Sequence, residues 1–169
     1  MKFIIIAAVS VDGVIGIDNE IPWHIPEDFK HFKQTTIGNM VLVGHNTYLT
    51  LPDKALEGRE YIVLNGNQPK ERIRPNVYQF ENFDLIHSVL TTNNTDVSEV
   101  YVAGGAMIYE SLIKYCDEAI ITWVNINIPN GNKRFPIDNL FANFVVHKDN
   151  GWVKSKNNIL YKITHYRRV

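Results

Sequence analysis

The sequence predicts an α/β domain with a mostly parallel sheet and an antiparallel edge, and three observations predict it. Short, unbroken runs rich in Val and Ile recur along the chain: FIIIAAVSV (3–11), MVLVG (40–44), YIVLN (61–65), EVYVAGG (99–105) and EAIITWVNI (118–126). Continuous apolar runs of this length suit strands buried on both faces of a sheet. Helix-like patterns lie between them, and alternating strands and helices build parallel sheets. The last segment, FVVHKDNGWVKSKNNILYKITHYRRV, alternates apolar and polar residues around DNG and KNN turns. That pattern reads as an antiparallel hairpin.

The helical segments follow in order. PEDFKHFKQ opens with Pro and two acids and carries Phe29 and Phe32 on one side. NTYLTLP begins with residues of the capping type, and Asn46 or Thr47 is expected to cap its helix. DLIHSVL is short and amphipathic. AMIYESLIKY spaces Met107, Ile108, Leu112 and Tyr115 at helical intervals. TTNNTDVS (91–98) reads as a polar loop, and no repeat, low-complexity tract or long linker interrupts the pattern.

Composition bounds the partners. A chain of 169 residues is the size of one domain, 1–169, and 45% hydrophobic residues supply an ample core. Such a chain buries roughly 70% of its extended-chain surface. Lys+Arg number 17 and Asp+Glu 18, a net charge of -1, which argues against nucleic acid or an anionic membrane surface as the main partner. The single cysteine, Cys116, forms no intrachain disulfide and reads as a small buried residue. MKFIIIAAVS is too short in its apolar run for a signal peptide, and no run nears the ~20 residues of a membrane span. These features predict a soluble, cytoplasmic protein, and a monomer.

Ligands of open α/β sheets bind at the carboxyl ends of the strands, and here those ends carry VDGVIG, GHNT, NGN and AGGA. In VAGGAMIY a buried strand runs into Gly104-Gly105 and then a helix, a turn that lets backbone N–H groups approach a phosphate. It is equally a plain tight turn, and it is not a G-x-G-x-x-G fingerprint. VGHNTY is a second strand–Gly–helix junction, and two such junctions on one sheet suit a pyrophosphate. Asp28 and Glu27 fit the first turn of a helix, where acids offset the positive dipole end. Asp28 also shares a helix face with Phe32, four residues on. If that face meets the sheet, Asp28 becomes a carboxylate in an apolar slot, able to bind paired N–H donors of a heterocycle, with burial raising its pKa. Trp23, between Pro22 and Pro26, fills a gap beneath a loop. Arg59 is either a solvated charge or a bidentate clamp for a ligand carboxylate. The histidines lack metal-ligand spacing, and no metal is expected; His45 stands apart only by lying at a helix start.

These features occur together, in this order, in a chain that resembles dihydrofolate reductases. The resemblance runs through IIIAAVSVDGVIGIDNEIPWHIPEDFKHFKQTT, MVLVGHNTY, LEGREYIVLN, VYVAGGAMIYE and the THYRRV hairpin. Gly16, Pro22, Trp23, Pro26, Asp28, Phe32 and Thr36 are its most specific part. It implies a three-layer α/β/α domain around a twisted sheet of about eight strands, with about four helices. It also implies reduction of 7,8-dihydrofolate with NADPH as cofactor and sensitivity to antifolates. Asp28 then matches the single active-site carboxylate, which grips the pterin N3 and 2-amino group, and Thr122 supports it. Ile6, Ala7, Phe29, Phe32, Leu51 and Leu56 match the pterin and benzoyl pockets, with Ala103 and Tyr109 beside them. Arg59 matches the arginine that binds the α-carboxylate of the glutamate tail. The loop 11–23 matches the mobile loop over the nicotinamide, with Ile21 at its tip and Trp23 holding a water near the pterin. Cofactor contacts carry over to Ala8, Ile15, Gly16, Asn19 and Ile21, to Gly44, His45, Asn46 and Thr47, to Leu64, Asn65 and Gly66, and to Gly104, Gly105, Ala106, Met107 and Ile108. The Gly104-Gly105 peptide matches a cis Gly–Gly bond of the family.

Three positions depart from the family pattern. His45 stands where Arg or Lys is usual, Asn65-Gly66 where Ser-Ser or Ser-Arg is frequent, and Ala106-Met107 where a basic residue is frequent. All three help to hold the phosphates of NADPH. The departures imply weaker discrimination of NADPH from NADH, unless Lys70, Arg72 or Arg74 rebuilds the grip, and a cofactor affinity that depends on the charge of His45. Two rival readings stand beside this one: a same-fold reductase of another heterocycle, of the riboflavin-pathway type, and a non-catalytic pterin- or nucleotide-binding or structural protein.

Overall fold

The computed structural model describes residues 1–66, 71–93 and 96–169, with backbone alone for 71–73. In chain order its elements are β1 (Lys2–Ser10), β2 (Val14–Gly16), α1 (Pro26–Thr36), β3 (Met40–Gly44), α2 (His45–Thr50), α3 (Asp53–Leu56), β4 (Glu60–Leu64), β5 (Glu71–Arg74) and β6 (Val77–Phe80). There follow α4 (Phe83–Thr92), β7 (Glu99–Val102), α5 (Ala106–Leu112), β8 (Glu118–Val124), β9 (Lys133–Arg134), α6 (Ile137–Asn143), β10 (Phe144–Asp149), β11 (Val153–Lys154) and β12 (Leu160–Arg168). A 3-10 turn, Ile113–Tyr115, extends α5.

Among the described residues ten strands form one sheet in the order β10-β12-β8-β1-β7-β3-β4-β6-β5, with β11 pairing to β12. β1 is parallel to both β7 and β8, β3 to both β7 and β4, and β4 to β6. The expected eight strands form its body, and the short β5 and β11 extend its margins. The C-terminal pair β10 and β12 is antiparallel, as the alternation predicts, with a bulge between Val146 and Lys148. Its DNG and KNN turns hold Gly151 (φ 77) and Asn158 (φ 63) in the left-handed region.

The unbroken apolar runs are unbroken because both faces are covered. Along β1, Phe3, Ile5, Ala7 and Val9 join the cluster that packs against α4, α5 and α6. Ile4 and Ile6 face the other way, toward Phe32 of α1. Helices therefore sandwich the sheet, giving three layers. Cys116 is buried in the first cluster, and burial pushes its thiol up to about 12, so the reactive thiolate is disfavoured.

The structure corrects one cap and adds elements the pattern did not reveal. Gly44 is the N-cap of α2 and no side chain caps it, because His45 is already helical; Asn46 and Thr47 lie inside the helix. α3 is a single turn. α6, IDNLFAN, buries only Leu140 completely, too little for a visible stripe. β6 carries buried Gln79, which breaks the apolar run. Among the described residues no helix is long and apolar enough to cross a membrane.

Candidate active site

Asp28 reaches the sheet because of how α1 begins. Ile25 is extended (φ -127, ψ 95), and Pro26 takes the first helical turn, where its missing N–H costs nothing. The turn is anchored from outside: Lys156 N–H donates to Glu27 Oε2 at 3.0 Å, and Asn157 Nδ2 donates to the His24 carbonyl at 2.7 Å. Neither tie was legible in sequence, since more than a hundred residues separate the partners. Held so, Asp28 Oδ1 accepts from Thr122 Oγ1 at 2.6 Å. Thr122 lies in β8, between Ala8 of β1 and Ile163 of β12, and is 2% exposed.

The surroundings of this pair are apolar. Phe32 packs between the cluster of Ile4, Ile6, Tyr101 and Ile120 and the cluster around Val41, Tyr48 and Leu56, and Ala103 borders both. Burial pushes the Asp28 carboxyl above its usual range, against the weaker opposing pull of the Thr122 hydroxyl and of His31. His31 is an electrostatic neighbour of Asp28; burial holds its imidazole below the usual histidine value. Phe29 and Phe32 do not share a side as expected. Phe29 is 54% exposed and lies against the His24 ring at 5.4 Å, because Phe32 alone faces the sheet.

Arg59 is not a solvated charge. It is 6% exposed, its Nε donates to Thr36 Oγ1 at 2.8 Å, and its Nη1 donates to the carbonyls of Ala55 (2.9 Å) and Glu57 (3.0 Å). Its guanidinium lies 5.7 Å from the Phe32 ring centroid. Asn76 braces the same segment, donating to the Leu56 and Arg59 carbonyls. Among the described residues no ion pair engages Arg59. Leu51 is partly buried and Leu56 buried in the adjoining cluster, so Arg59, Phe32 and Asp28 follow one apolar wall.

The two glycine junctions abut. Gly44 N–H donates to the Gly104 carbonyl at 2.8 Å, and a Cβ on Gly105 would stand 3.1 Å from Thr47 Oγ1. A Cβ on Gly44 would meet Ile108 at 2.9 Å. The Gly104-Gly105 peptide is cis, and Gly104 has φ 101. Tyr109 is buried beside it and donates to the Ile6 carbonyl at 2.7 Å, which joins this junction to β1. His45 begins α2 with its Nδ1 buried and unpartnered among the described residues. Met107 is 84% exposed on the outer face of α5. Ala106, Leu64, Asn65 and Gly66 lie at the same carboxyl edge of the sheet, beyond β7 and β4. Of the basic residues expected to rebuild a phosphate grip, Arg74 pairs with Asp53 at 3.2 Å. Lys70 and the side chain of Arg72 lie outside the described residues.

The loop 11–23 is tied to the segment before α6. Ile15 and Gly16 belong to β2, which pairs with β9. Asp18 N–H donates to Asn132 Oδ1 at 2.7 Å, and Asn132 Nδ2 donates back to Asp18 Oδ1 at 2.8 Å. Asn19 is exposed, and Ile21 at the tip is 54% exposed. Trp23 is buried with Ile25 and Val124, filling the gap beneath the loop. Asn132 gave no signal in sequence, because nothing in its loop marks a partner across the chain. Among the described residues no group of His, Cys, Asp and Glu is arranged to hold a metal ion.

Comparison with known proteins agrees with this geometry. The family model for dihydrofolate reductase matches residues 2–168. The chain is 35% identical to a dihydrofolate reductase type 9 from Escherichia coli over 72% of its length and 70% of that protein. It is 33% identical to a dihydrofolate reductase of Mycoplasma pneumoniae over 96% of its length and 95% of that protein. It is also 28% identical, over 96% of its length, to a third of a bifunctional dihydrofolate reductase-thymidylate synthase from Paramecium tetraurelia, covering 34% of that protein. A carboxylate and threonine paired in an apolar slot, two abutting glycine junctions and a match that spans the chain lead to one conclusion: this chain belongs to the dihydrofolate reductase family.

Proposed function

We propose that the protein reduces 7,8-dihydrofolate to 5,6,7,8-tetrahydrofolate with NADPH, as a single-domain, monomeric, cytoplasmic enzyme of one-carbon metabolism. The observation that carries the proposal is the Asp28–Thr122 pair in its apolar slot. A carboxylate there is costly to the free protein, and a heterocycle offering two adjacent N–H donors compensates it. Arg59 supports a folate rather than a tail-less heterocycle. It is a buried guanidinium without an ion-pair partner among the described residues, at the far end of the wall that starts at Asp28.

The residues present fit a dinucleotide. Gly44 and Gly105 keep clear the space that a Cβ would fill between the two junctions, where backbone groups can face a pyrophosphate. Gly44, His45, Thr47, Gly104, Gly105 and Ala106 would hold the phosphates, and Ala8, Ile15 and Ile21 would border the nicotinamide. When bound, the dinucleotide supplies a hydride for pterin C6, and N5 takes a proton from water. The protein's own residues orient and enclose. Asp28 and Thr122 fix the pterin edge, Phe32 flanks its face, and Arg59 holds the tail carboxylate. The loop 11–23 excludes bulk water and admits a single donor water near Trp23 and Ile21. Positioning of this kind is the main catalytic contribution. Asp28 fixes the pyrimidine side of the ring and does not hand a proton directly to N5.

The test is turnover. Purified protein mixed with dihydrofolate and NADPH should consume reduced-nicotinamide absorbance, and trimethoprim or methotrexate should stop it. Antifolate binding without turnover would leave a pterin-binding protein, and neither would remove the proposal.

A further inference from the structure

Helix α1 brings a second titratable side chain to the Asp28 slot, and strand register shows how. Across β8 and β12, Thr122 pairs with Ile163 and Ile120 with His165, so these side chains share one face of the sheet. That face lies under α1, because Ile120, Ile163 and Phe32 pack in one cluster. Asp28 accepts from Thr122. His31, one turn further along α1, comes over the next cross-strand pair, where it and His165 are electrostatic neighbours. The ring is half-buried. Thr35 Oγ1 stands 3.5 Å from its Nδ1, a long contact, and its Nε2 is buried with no hydrogen-bond partner among the described residues. A neutral imidazole held in this way leaves a polar atom unsatisfied in an apolar layer, a cost to the fold that calls for a reason.

The charges around the ring define what a proton on it would do. Asp28 on its own helix attracts that proton. His165 faces it from β12, with Lys148 and His147 of β10 and Glu118 of β8 acting on His165 in turn. Burial, then the charges of His31, Lys148 and His147, hold His165 below the usual histidine range, against the pull of Glu118. Glu27 is engaged by the Lys156 N–H, and Tyr109 and Tyr161, which feel the Asp28 charge, stay neutral phenols. Two charged imidazoles repel, so the histidines hold one proton between them before they hold two. At neutral pH both are uncharged, and charge enters as the pH falls. An imidazolium at His31 stabilises an ionised Asp28, and a neutral heterocycle that donates N–H groups to that carboxylate then binds better. A cationic heterocycle cancels the Asp28 charge, so its binding forfeits the attraction between His31 and Asp28 and adds repulsion.

We propose that His31, backed by His165, is a positioning residue that sets the specificity of the carboxylate slot, its protonation favouring a neutral heterocycle over a cationic one. The inference rests on the heterocycle reading of the slot given above. Its test measures calorimetric Kd values for dihydrofolate, whose pterin is uncharged, and for trimethoprim, a base that binds as a cation. They are taken at about pH 7.5 and about pH 5 in the wild type, His31→Gln and His165→Gln. At the higher pH, His31→Gln should bind both ligands within about twofold of the wild type. At the lower pH it should lose affinity for dihydrofolate by at least about threefold and gain affinity for trimethoprim by at least about threefold. His165→Gln frees His31 of its competitor and should move both affinities the opposite way. General damage to the slot would weaken both ligands together, so changes of one sign for both, or no change at the lower pH, overturn the proposal. A ligand-free readout separates its failure from that of the reductase reading. The carbon-13 resonance of the Asp28 carboxyl should titrate at higher pH in His31→Gln than in the wild type, and an unmoved titration overturns the proposal whether or not the protein turns over dihydrofolate. A moved titration without turnover supports the role of His31 and tells against the reductase reading alone.

Discussion

Asp28 is held half-buried with one hydroxyl donor, and its carboxyl is raised by burial. Between the ordinary carboxylate range and the raised value, the folded protein therefore binds more protons than the unfolded chain. In that window stability falls as pH rises, and the loss persists at neutral pH. Asp28→Asn removes the ionisation, so the melting temperature of the ligand-free protein should rise at pH 7. The gain should vanish near about pH 3, where the carboxyl is protonated in both states. Thermal unfolding at the two pH values checks this, and an equal effect at both contradicts it. Arg59 allows a second prediction. Arg59→Gln should raise KM for dihydrofolate about 10–100-fold, the worth of hydrogen bonds to a charged group. A pterin substrate without the glutamate tail should show no such rise, which separates lost binding from general damage. At this scale the sequence singled out residues but not their aim. Asp28 fits a helix-dipole role equally well, and what turns it inward is Thr122, 94 residues away. Arg59 reads as an exposed charge until Thr36, Ala55 and Glu57 are seen to surround it.

Among the elements, the loop 11–23 depends on contacts across the chain. The β2–β9 ribbon and the reciprocal Asp18–Asn132 bonds hold it. Asn132→Ala removes two hydrogen bonds at the surface, about 1 kcal/mol each. Amide exchange at Asp18 should then accelerate about tenfold or more, and kcat should change while the Kd for an antifolate stays near its wild-type value. Unchanged exchange would show that the ribbon alone fixes the loop. Helix α1 was legible from its opening Pro and acids, and α4 from its amphipathic pattern. α3 and α6 were not, since one is a single turn and the other buries only Leu140 completely. The ribbon was not legible: VDGVIG reads as the end of the first strand, and the partner of β2 is two charged residues, Lys133 and Arg134, which carry no strand signal.

For the whole molecule, strand order sets the layout of the site. The apolar runs told that the sheet is mostly parallel, and the glycines at their ends pointed to its carboxyl edge as a place for a ligand. They did not tell that β1 sits between β7 and β8, or that β3 returns beside β7, and it is this order that brings the Asp28 slot and the glycine junctions into one line. Crossover order is decided by packing over the whole sheet, and no local pattern records it. The central claim is that this line ends at a carboxylate which grips the substrate heterocycle. The most direct measurement is kcat/KM for dihydrofolate at neutral pH in the wild type and in Asp28→Asn, with the Kd of the reduced nicotinamide cofactor measured in parallel. A fall of at least about a hundredfold in kcat/KM with an unchanged cofactor Kd is the predicted result. A variant that keeps its activity within about threefold of the wild type would contradict it.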